Sequence, residues 1–271
     1  MKTVAEIKEP ILLEGKAYTR KSLLEYCAAQ EEDPGVPRWR KEALAFIPLF
    51  LDPGEKAILQ RSSGTTGDPK SYTLSRDAML NSARRTLDFF GLTGGEKALL
   101  NLPVHYIAGK MMVVRALLGG LDLLLQEPSS RPLQHLNEDV AFAAMVPLQI
   151  EESLLQEDPI GRISSLLIGG GELHPATRDK LSSIRAPQVY ETFGMTETYT
   201  HFALRRINGP DPDKQFRLLK DVFISKDPRG CLEVHVPGVT PAPVLTNDLV
   251  EINKAVSYTH LRAHETMTGI A

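Results

Sequence analysis

A loop of small residues in the first third of the chain has the composition of a phosphate-binding segment. Residues 62–70 read SSGTTGDPK and follow a strand-like run at 56–61. Closely spaced Gly, Ser and Thr residues can turn several backbone N–H groups and hydroxyls toward one polyanion, with a lysine as a mobile counter-charge. The loop is not of the G-x-x-x-x-G-K-S/T type, because Pro69 stands where the second glycine would be. The sequence therefore predicts a triphosphate-binding loop, with a flexible surface loop as the alternative.

Three consecutive glycines mark a second candidate segment. Gly169, Gly170 and Gly171 follow the apolar run 166–168. The segment is not a G-x-G-x-x-G dinucleotide fingerprint, because His174 occupies the position of the last glycine. Glycines still allow a flat ligand to approach the backbone, and ligands of parallel sheets bind at the carboxyl ends of strands. The alternative is a tight turn that leads into a helix.

A third candidate combines hydroxyls with a carboxylate. Residues 190–198 read YETFGMTET, so Thr196, Glu197 and Thr198 follow a strand and Gly194 directly. The carboxylate of Glu197 offers oxygen ligands of the hard type that Mg²⁺ prefers, and Mg²⁺ commonly binds such a carboxylate together with phosphate. The alternative is a capping pattern at the start of a helix.

The fourth candidate is the short segment 246–248, which reads TND. A carboxylate at the end of a strand, here Asp248, can accept hydrogen bonds from the vicinal hydroxyls of a ribose. An aspartate that stabilises a turn is the alternative.

The elements that must position these candidates alternate along the chain. The first 60 residues have mostly helical patterns, and short apolar strands then alternate with helices up to residue 190. This alternation predicts an α/β fold with a parallel-rich sheet flanked by helices. The helical patterns cover 21–30, 38–50, 76–90, 107–118, 147–155 and 175–184, and the strand-like runs between them cover 98–102, 121–125, 140–146, 166–168 and 188–190.

The sequence pattern changes near residue 208. Beyond it, prolines interrupt short strand-like runs at 222–224, 231–236 and 244–245. We therefore expect three parts: an α/β domain at 1–207, a smaller β-rich subdomain at 208–255, and a non-native or disordered tail at 256–271.

Composition excludes several classes of protein. The chain has 271 residues, 42% of them hydrophobic, with 31 Lys+Arg against 34 Asp+Glu. This balance provides no broad basic field for nucleic acid. No apolar run approaches the about 20 residues that a membrane helix needs, and Cys27 and Cys231 do not form a disulfide framework. The sequence predicts a soluble cytoplasmic protein with small-molecule substrates and no membrane insertion, and it leaves a homo-oligomer open.

The four candidates, in this order and spacing, resemble the motifs of the adenylate-forming acyl-CoA synthetase superfamily. The resemblance extends over residues 59–251. Within the superfamily the chain looks most like the short o-succinylbenzoate–CoA ligases of menaquinone synthesis. The segments that carry this closer likeness are 106–115 (YIAGKMMVVR), 144–149 (AMVPLQ), 168–171 (IGGG) and 196–209 (TETYTHFALRRING).

The resemblance implies a two-step ligase reaction that uses ATP, Mg²⁺ and coenzyme A. The acid first forms an acyl-AMP with loss of pyrophosphate, and the thiol of coenzyme A then displaces AMP. Lys70, Thr196 and Glu197 would act at the reacting phosphates, and Glu197 would hold Mg²⁺. The implied nucleotide-binding residues are Ser62, Ser63, Gly64, Thr65, Thr66, Gly67 and Lys70 at the β/γ-phosphates, Gly169, Gly170, Gly171, Phe193 and Gly194 near the adenine, Thr196 at the α-phosphate and Asp248 at the ribose.

The chain departs from the family's pattern in two places. Tyr106 stands where relatives often have a histidine, so it would fill that wall of the acyl pocket. Nothing after Glu251 matches the G-R-x-D hinge and the lysine-bearing C-terminal lid domain of the family. We therefore expect a truncated enzyme without its lid and with little activity.

The second carboxylate of o-succinylbenzoate calls for a fixed cation or hydroxyl donors. Lys110 and Arg115 lie five residues apart on the 107–118 helix, which separates them by about 140° of arc. Arg115 is the better candidate because its neighbours are of the buried type, although an arginine at the surface or in an ion pair is the alternative. Thr198 and His201 are further candidates, whereas Arg205 and Arg206 look like surface charges at a strand edge.

Two other functions remain open at this point. The chain could be another acyl- or aryl-CoA ligase with the same chemistry, or a nucleotide-binding remnant without turnover. A panel of acids would separate these alternatives.

Overall fold

The computed structural model describes residues 7–61, 71–254 and 259–263. Six α-helices lie in this part of the chain: α1 (Arg20–Glu32), α2 (Arg38–Leu51), α3 (Arg76–Phe90), α4 (Ile107–Gly119), α5 (Pro147–Leu155) and α6 (Pro175–Ser183). The strands are β1 (Ile11–Leu13), β2 (Lys16–Tyr18), β3 (Ala57–Arg61), β4 (Ser71–Ser75), β5 (Lys97–Leu100), β6 (Asp122–Leu125), β7 (Val140–Met145), β8 (Ile163–Ile168), β9 (Gln188–Gly194), β10 (His201–Arg206), β11 (Phe216–Leu218), β12 (Phe223–Lys226), β13 (Cys231–His235), β14 (Val244–Lys254) and β15 (Thr259–Ala263).

A 13-stranded sheet organises the chain, in the order β12-β13-β14-β15-β11-β10-β9-β8-β7-β5-β6-β1-β2, and β3 pairs with β4 in a separate hairpin. The middle of the large sheet is parallel, with Leu99 beside Ala143 and Met145 beside Ile168. The expected α/β fold with a parallel-rich sheet flanked by helices is therefore confirmed.

The two faces of this sheet contribute to two hydrophobic cores. On β7, Phe142 belongs to the core with helices α1 to α4, whereas its neighbour Ala143 belongs to the core with Ile150 of α5 and Leu181 of α6. Successive residues of a strand point to opposite faces, so a continuous apolar run can fill both cores. This explains why the central strands are largely apolar.

Helix ends lie where their capping residues predict. The hydroxyl of Ser75 accepts from the backbone N–H of Ala78 at the start of α3, and Gly91 ends that helix with φ of 64°. Gly120 ends α4 in the same left-handed conformation, with φ of 66°. Glycine reaches positive φ without a side-chain clash, which makes it the favoured residue after a helix.

Several strands differ from the sequence-based expectation. The prediction of mostly helical structure in the first 60 residues was wrong for β1 and β2. These two strands form a hairpin at one edge of the large sheet. Each has only three residues, too few for a period-2 pattern to be visible. Strands β10, β11 and β4 were also not anticipated, and β9 extends to Gly194 rather than Tyr190.

The proline-rich region forms strands that join the same sheet. β12, β13 and β14 are antiparallel, and β14 pairs with β15, which in turn pairs with β11. Five residues of the expected tail, 259–263, thus form a strand, and the expected domain boundaries stay predictions. None of the helices in the described ranges combines the length and apolar character needed to cross a membrane, and both cysteines are buried free thiols.

Candidate active site

A cavity of about 220 Å³ lies where the central parallel strands end. Val146 follows β7, Gly169 and Gly170 follow β8, and Gly194 ends β9, so all four lie at the carboxyl edge that ligands of such sheets use. Helix α4 covers the opposite wall. The lining residues are Leu102, Ile107, Ala108, Arg115, Ala144, Met145, Val146, Leu167, Gly169, Gly170, Thr192, Gly194, Met195, Thr196, Thr200 and His201.

Glycines keep the cavity wall free of side chains. A Cβ atom on Gly169 would collide with Oγ1 of Thr192, and one on Gly194 would collide with the carbonyl of Thr200. Gly170 has φ of 83° and is the residue type that adopts this conformation readily. These three glycines line the cavity with backbone alone, which a flat ligand can approach closely.

Arg115 supplies the cationic part of the wall. Its side chain is 2% exposed, and Nη2 donates to Oγ1 of Thr200 at 3.4 Å. Nε is buried without a hydrogen bond, and no ion pair with a carboxylate forms within residues 7–61, 71–254 and 259–263. Burial lowers the pKa of Arg115 to about 10, so the guanidinium is still charged at neutral pH. A buried cation without a counter-charge is costly unless a ligand supplies the anion.

His201 lies beside this cation. It is 9% exposed, and its Nε2 is 3.1 Å from Oγ1 of Thr86 on α3. Burial, and then the positive charge of Arg115, lower the pKa of His201 well below 6.5. The imidazole is therefore neutral at physiological pH, and the cavity carries the charge of Arg115 alone among its described lining residues.

Lys110 lies outside the cavity although it shares helix α4 with Arg115. It is 7% exposed, and Nζ donates to Oε1 of Gln60 at 2.8 Å. The arc of about 140° between positions five apart turns the two cations to different sides of the helix. Burial lowers the pKa of Lys110 to about 8.

Two other predicted substrate contacts also lie off the cavity. Tyr106 is 45% exposed at the start of α4 and lies against the ring of His105, with centroids 4.2 Å apart. Thr198 is buried, and its Oγ1 donates to the carbonyl of Thr200 at 2.7 Å and accepts from the N–H of Met195. Thr198 therefore shapes the turn, whereas Thr196 at the start of that turn does line the cavity.

The acidic residue of this turn is exposed. Glu197 lies in the short 3₁₀ helix Thr196–Thr198, next to the cavity-lining Thr196. Within the described residues no group of three or more His, Cys, Asp and Glu side chains could hold a metal ion by itself. One accessible carboxylate fits Mg²⁺ that binds chiefly through phosphate oxygens and water.

Tyr199 connects this turn to the hairpin of β3 and β4. Its φ is 65°, an uncommon conformation for a bulky residue, and its side chain is 8% exposed. Its hydroxyl accepts from the backbone N–H of Ser75 at 2.8 Å. The turn with Thr196 and Glu197 is therefore fixed to the start of α3, at the end of the hairpin that contains the predicted phosphate loop.

Other predicted nucleotide contacts do not meet at the cavity. The ring of Phe193 packs against Phe202 and Phe216, with centroids 5.3 and 5.5 Å apart. Its neighbours Thr192 and Gly194 line the cavity instead, because alternate residues of a strand point to opposite faces. Gly171 is not a lining residue. Asp248 lies on β14, which the order β14-β15-β11-β10-β9 separates from β9 by three strands.

The predicted phosphate loop lies outside the described residues, and with it Ser62, Ser63, Gly64, Thr65, Thr66, Gly67 and Lys70. The described strands β3 and β4 flank it on both sides.

Three threonines at the cavity or directly behind it were not predicted from the sequence. Thr192 and Thr200 line the cavity, and Thr86 contacts His201 from α3. The alternation along β9 could have identified Thr192 once Gly194 was assigned to the cavity side. The interpretation of Arg205 as a surface charge was wrong, because it pairs with the buried Glu191 and lies over the ring of Phe216.

Comparison with known proteins shows to which enzyme family the chain is similar. The sequence profile of the AMP-binding enzyme family matches residues 2–220. A 2-succinylbenzoate–CoA ligase of Enterococcus faecalis is 31% identical over 150 residues, which are 52% of this chain and 30% of that protein. A probable 2-succinylbenzoate–CoA ligase of Mycobacterium tuberculosis is 30% identical over 157 residues, or 52% of this chain and 39% of that protein. The matched part thus spans well under half the length of these curated relatives.

Solved structures show the same fold. An acyl-CoA synthetase (AMP-forming)/AMP-acid ligase II-like protein of Dyadobacter fermentans superposes with a TM-score of 0.78 and 33% identity, over 88% of this chain and 67% of that one. The o-succinylbenzoate–coenzyme A synthetase of Bacillus subtilis, solved with ATP and a magnesium ion, gives 0.62 and 20% identity over 76% of this chain and 49% of that one. With the profile match over most of its length, the chain belongs to the AMP-binding enzyme family, in the superfamily of adenylate-forming acyl-CoA ligases.

Proposed function

We propose that the protein takes part in the ATP-dependent activation of o-succinylbenzoate for menaquinone synthesis. The acid would become an acyl-AMP at the cavity, and the whole protein would pass the acyl group to coenzyme A. The choice of acid rests on Arg115, a buried cation in a largely apolar cavity wall. The described hydrogen-bond partner of this guanidinium is the neutral hydroxyl of Thr200.

The shape and charge of the cavity support an acid with two carboxylates. One carboxylate must reach the phosphates, and the other must lie at the far end of the acyl group. A guanidinium binds a carboxylate through two parallel hydrogen bonds and gains strength where water is excluded. Arg115 and Thr200 offer these donors, and the apolar side chains of Ile107, Met145 and Leu167 fit an aromatic ring between the two ends.

The nucleotide would bind across the ends of β8 and β9. The exposed backbone at Gly169 and Gly170 suits the adenine, and Thr196 would contact the α-phosphate. Lys70 and the loop before it would hold the β- and γ-phosphates. Mg²⁺ held by Glu197 would neutralise phosphate charge when bound. Phe193 would border the adenine and Asp248 would bind the ribose hydroxyls, although neither lines the described cavity.

The chemistry would rest on positioning rather than on a covalent enzyme intermediate. An oxygen of the reacting carboxylate attacks the α-phosphorus, and the bond from that phosphorus to the pyrophosphate oxygen breaks. The site residues hold the two anions in line and stabilise the charge on the phosphate oxygens. Arg115 contributes by fixing the distant carboxylate, so it orients the acid without touching the reacting atoms.

The names of the relatives support the same substrate, since those of E. faecalis and M. tuberculosis are called 2-succinylbenzoate–CoA ligases. Because the match covers 30% and 39% of these proteins, the thioester-forming step is proposed for the whole protein.

Pyrophosphate release with ATP and Mg²⁺ tests the proposal. We expect release that depends on o-succinylbenzoate and that is much slower with benzoate or with a medium-chain fatty acid. Equal or faster release with the monocarboxylic acids would overturn the choice of substrate and favour another acyl- or aryl-CoA ligase. Absence of release with every acid, together with tight ATP binding, would favour a nucleotide-binding protein without turnover.

A further inference from the structure

Helix α3 provides two hydroxyls directly behind the polar wall of the cavity. Ser82 and Thr86 lie four residues apart and so share one face of the helix. The hydroxyl of Ser82 is 3.0 Å from Oγ1 of Thr200, and the hydroxyl of Thr86 is 3.1 Å from Nε2 of His201. Neither Ser82 nor Thr86 lines the cavity, yet each contacts a residue that does.

The direction of the hydrogen bond between Thr86 and His201 is linked to which ring nitrogen of His201 carries the proton. Thr86 is fully buried, so water does not compete for its hydroxyl. Two acceptors are within reach: Nε2 of His201 at 3.1 Å and the carbonyl of Ser82 at 3.5 Å. Hydrogen bonds weaken rapidly beyond the usual range of distances. The nearer acceptor, Nε2, is the better partner for the hydroxyl proton, and a hydrogen bond in this direction requires a lone pair on Nε2.

A neutral imidazole with a lone pair on Nε2 carries its proton on Nδ1. The ring is neutral because burial and Arg115 hold the pKa of His201 well below 6.5. Within the described chain, Nε2 forms the ring's hydrogen bond and Nδ1 forms none. Since His201 lines the cavity beside Arg115, a bound group can supply the acceptor for Nδ1–H.

We propose that Thr86 is a positioning residue that fixes His201 as the Nδ1–H tautomer, which gives the cavity a second, uncharged donor beside Arg115 for the distant carboxylate of the acid. The substrate part of this inference rests on the proposed function, whereas the tautomer does not. A carboxylate has enough lone pairs for both donors. The other tautomer would present a lone pair to that carboxylate and repel it.

Nitrogen NMR of the histidine ring tests the tautomer directly on the intact chain. A spectrum of protein labelled with ¹⁵N in its histidines distinguishes the protonated nitrogen from the unprotonated one, and the His201→Gln variant identifies the signals of His201. We expect Nδ1–H in the wild type and in Thr86→Ser, which keeps the hydroxyl, and loss of this preference in Thr86→Val. Thr177→Val, which alters a buried threonine of α6 away from the cavity, should leave the His201 signals unchanged.

Kinetics then test the consequence for the substrate. In Thr86→Val we expect the KM for o-succinylbenzoate to rise by about fivefold or more, with the KM for ATP unchanged and with recovery in Thr86→Ser. An Nε2–H tautomer in the wild type, or wild-type His201 signals in Thr86→Val, would overturn the inference. So would an unchanged KM for the acid in Thr86→Val. If the wild type does not react with the acid, the proposed function fails, and the NMR result still decides the role of Thr86.

Discussion

Arg115 donates a hydrogen bond to Thr200 across 3.4 Å, and this neutral hydroxyl is its described partner at the cavity. The guanidinium is 2% exposed. Folding therefore removes a cation from water at a cost in free energy that no described carboxylate offsets. This arrangement makes sense in a binding site, where the anion arrives with the ligand.

Replacement of Arg115 should separate stability from binding. We expect Arg115→Met to keep the wild-type free energy of unfolding or to raise it by about 1 kcal/mol, because an uncompensated buried cation is removed. Arg131→Met is the matched control, since it removes the partner of the buried Asp158, 2.6 Å away. That variant should lose stability, because it leaves the buried carboxylate of Asp158 without its partner. Urea denaturation measures both, and a large loss of stability in Arg115→Met would contradict this account of the cation.

The glycines at the end of β8 should be required for nucleotide binding. In Gly169→Ala the new Cβ would collide with Oγ1 of Thr192, so the backbone beside the ligand must move. We expect AMP to bind at least about tenfold more weakly, because small displacements of groups that position a ligand have effects of this size. Gly161→Ala is the control, because nothing lies within 4 Å of its new Cβ. Calorimetric titration with AMP measures the effect. Wild-type affinity in Gly169→Ala would place the adenine elsewhere.

Lys110 should make stability depend on pH in the alkaline range. Its folded-state pKa of about 8 lies below the ordinary 10.5. Between these values the unfolded chain binds more protons than the folded one, so the free energy of unfolding rises with pH. The wild type should therefore gain stability relative to Lys110→Met from pH 8 to 10.5, as measured by urea denaturation at each pH.

Lys97 provides the opposite case for comparison. Its hydrogen bond to Glu138 raises its pKa, so its contribution is present at neutral pH and decreases as the pH rises through the folded-state value. A comparison of wild type with Lys97→Met should give a slope of the other sign. Equal slopes for the two lysines would mean that Lys110 is not buried as a cation.

Glu197 should link ATP binding to magnesium. We expect Glu197→Gln to weaken ATP binding by about tenfold in the presence of Mg²⁺, because one hard oxygen ligand loses its charge. In EDTA the variant and the wild type should bind ATP equally. Glu127→Gln, which changes another exposed glutamate, should behave like the wild type under both conditions. An equal loss with and without Mg²⁺ would point to a structural role for Glu197.

The sequence predicted those features that local chemistry decides. Ser75 and Gly91 define the ends of α3 because a hydroxyl cap and a left-handed glycine act within one turn. The alternation of β5 to β9 with α4 to α6 predicted the parallel sheet, and with it the strand ends where Gly169, Gly194 and Thr196 meet. The helical period also separated Arg115 from Lys110 correctly.

Features that depend on tertiary packing could not be predicted from the sequence. The sequence did not predict which residues of β9 face the cavity, and in the structure Thr192 faces it, whereas Phe193 does not line it. The contact of Thr86 with His201 joins residues 115 positions apart, and no local pattern brings α3 to the start of β10. The strands β1 and β2 are too short to show a period, and they form because the edge of the sheet offers them partners.

The central claim is that Arg115 selects an acid with a second carboxylate. The direct measurement is calorimetric binding of two non-hydrolysable acyl-AMP analogues that differ only in that carboxylate, to the wild type and to Arg115→Met. The account predicts that the wild type binds the carboxylated analogue at least about tenfold more tightly, and that Arg115→Met binds both alike. Equal affinity of the wild type for the two analogues would contradict it.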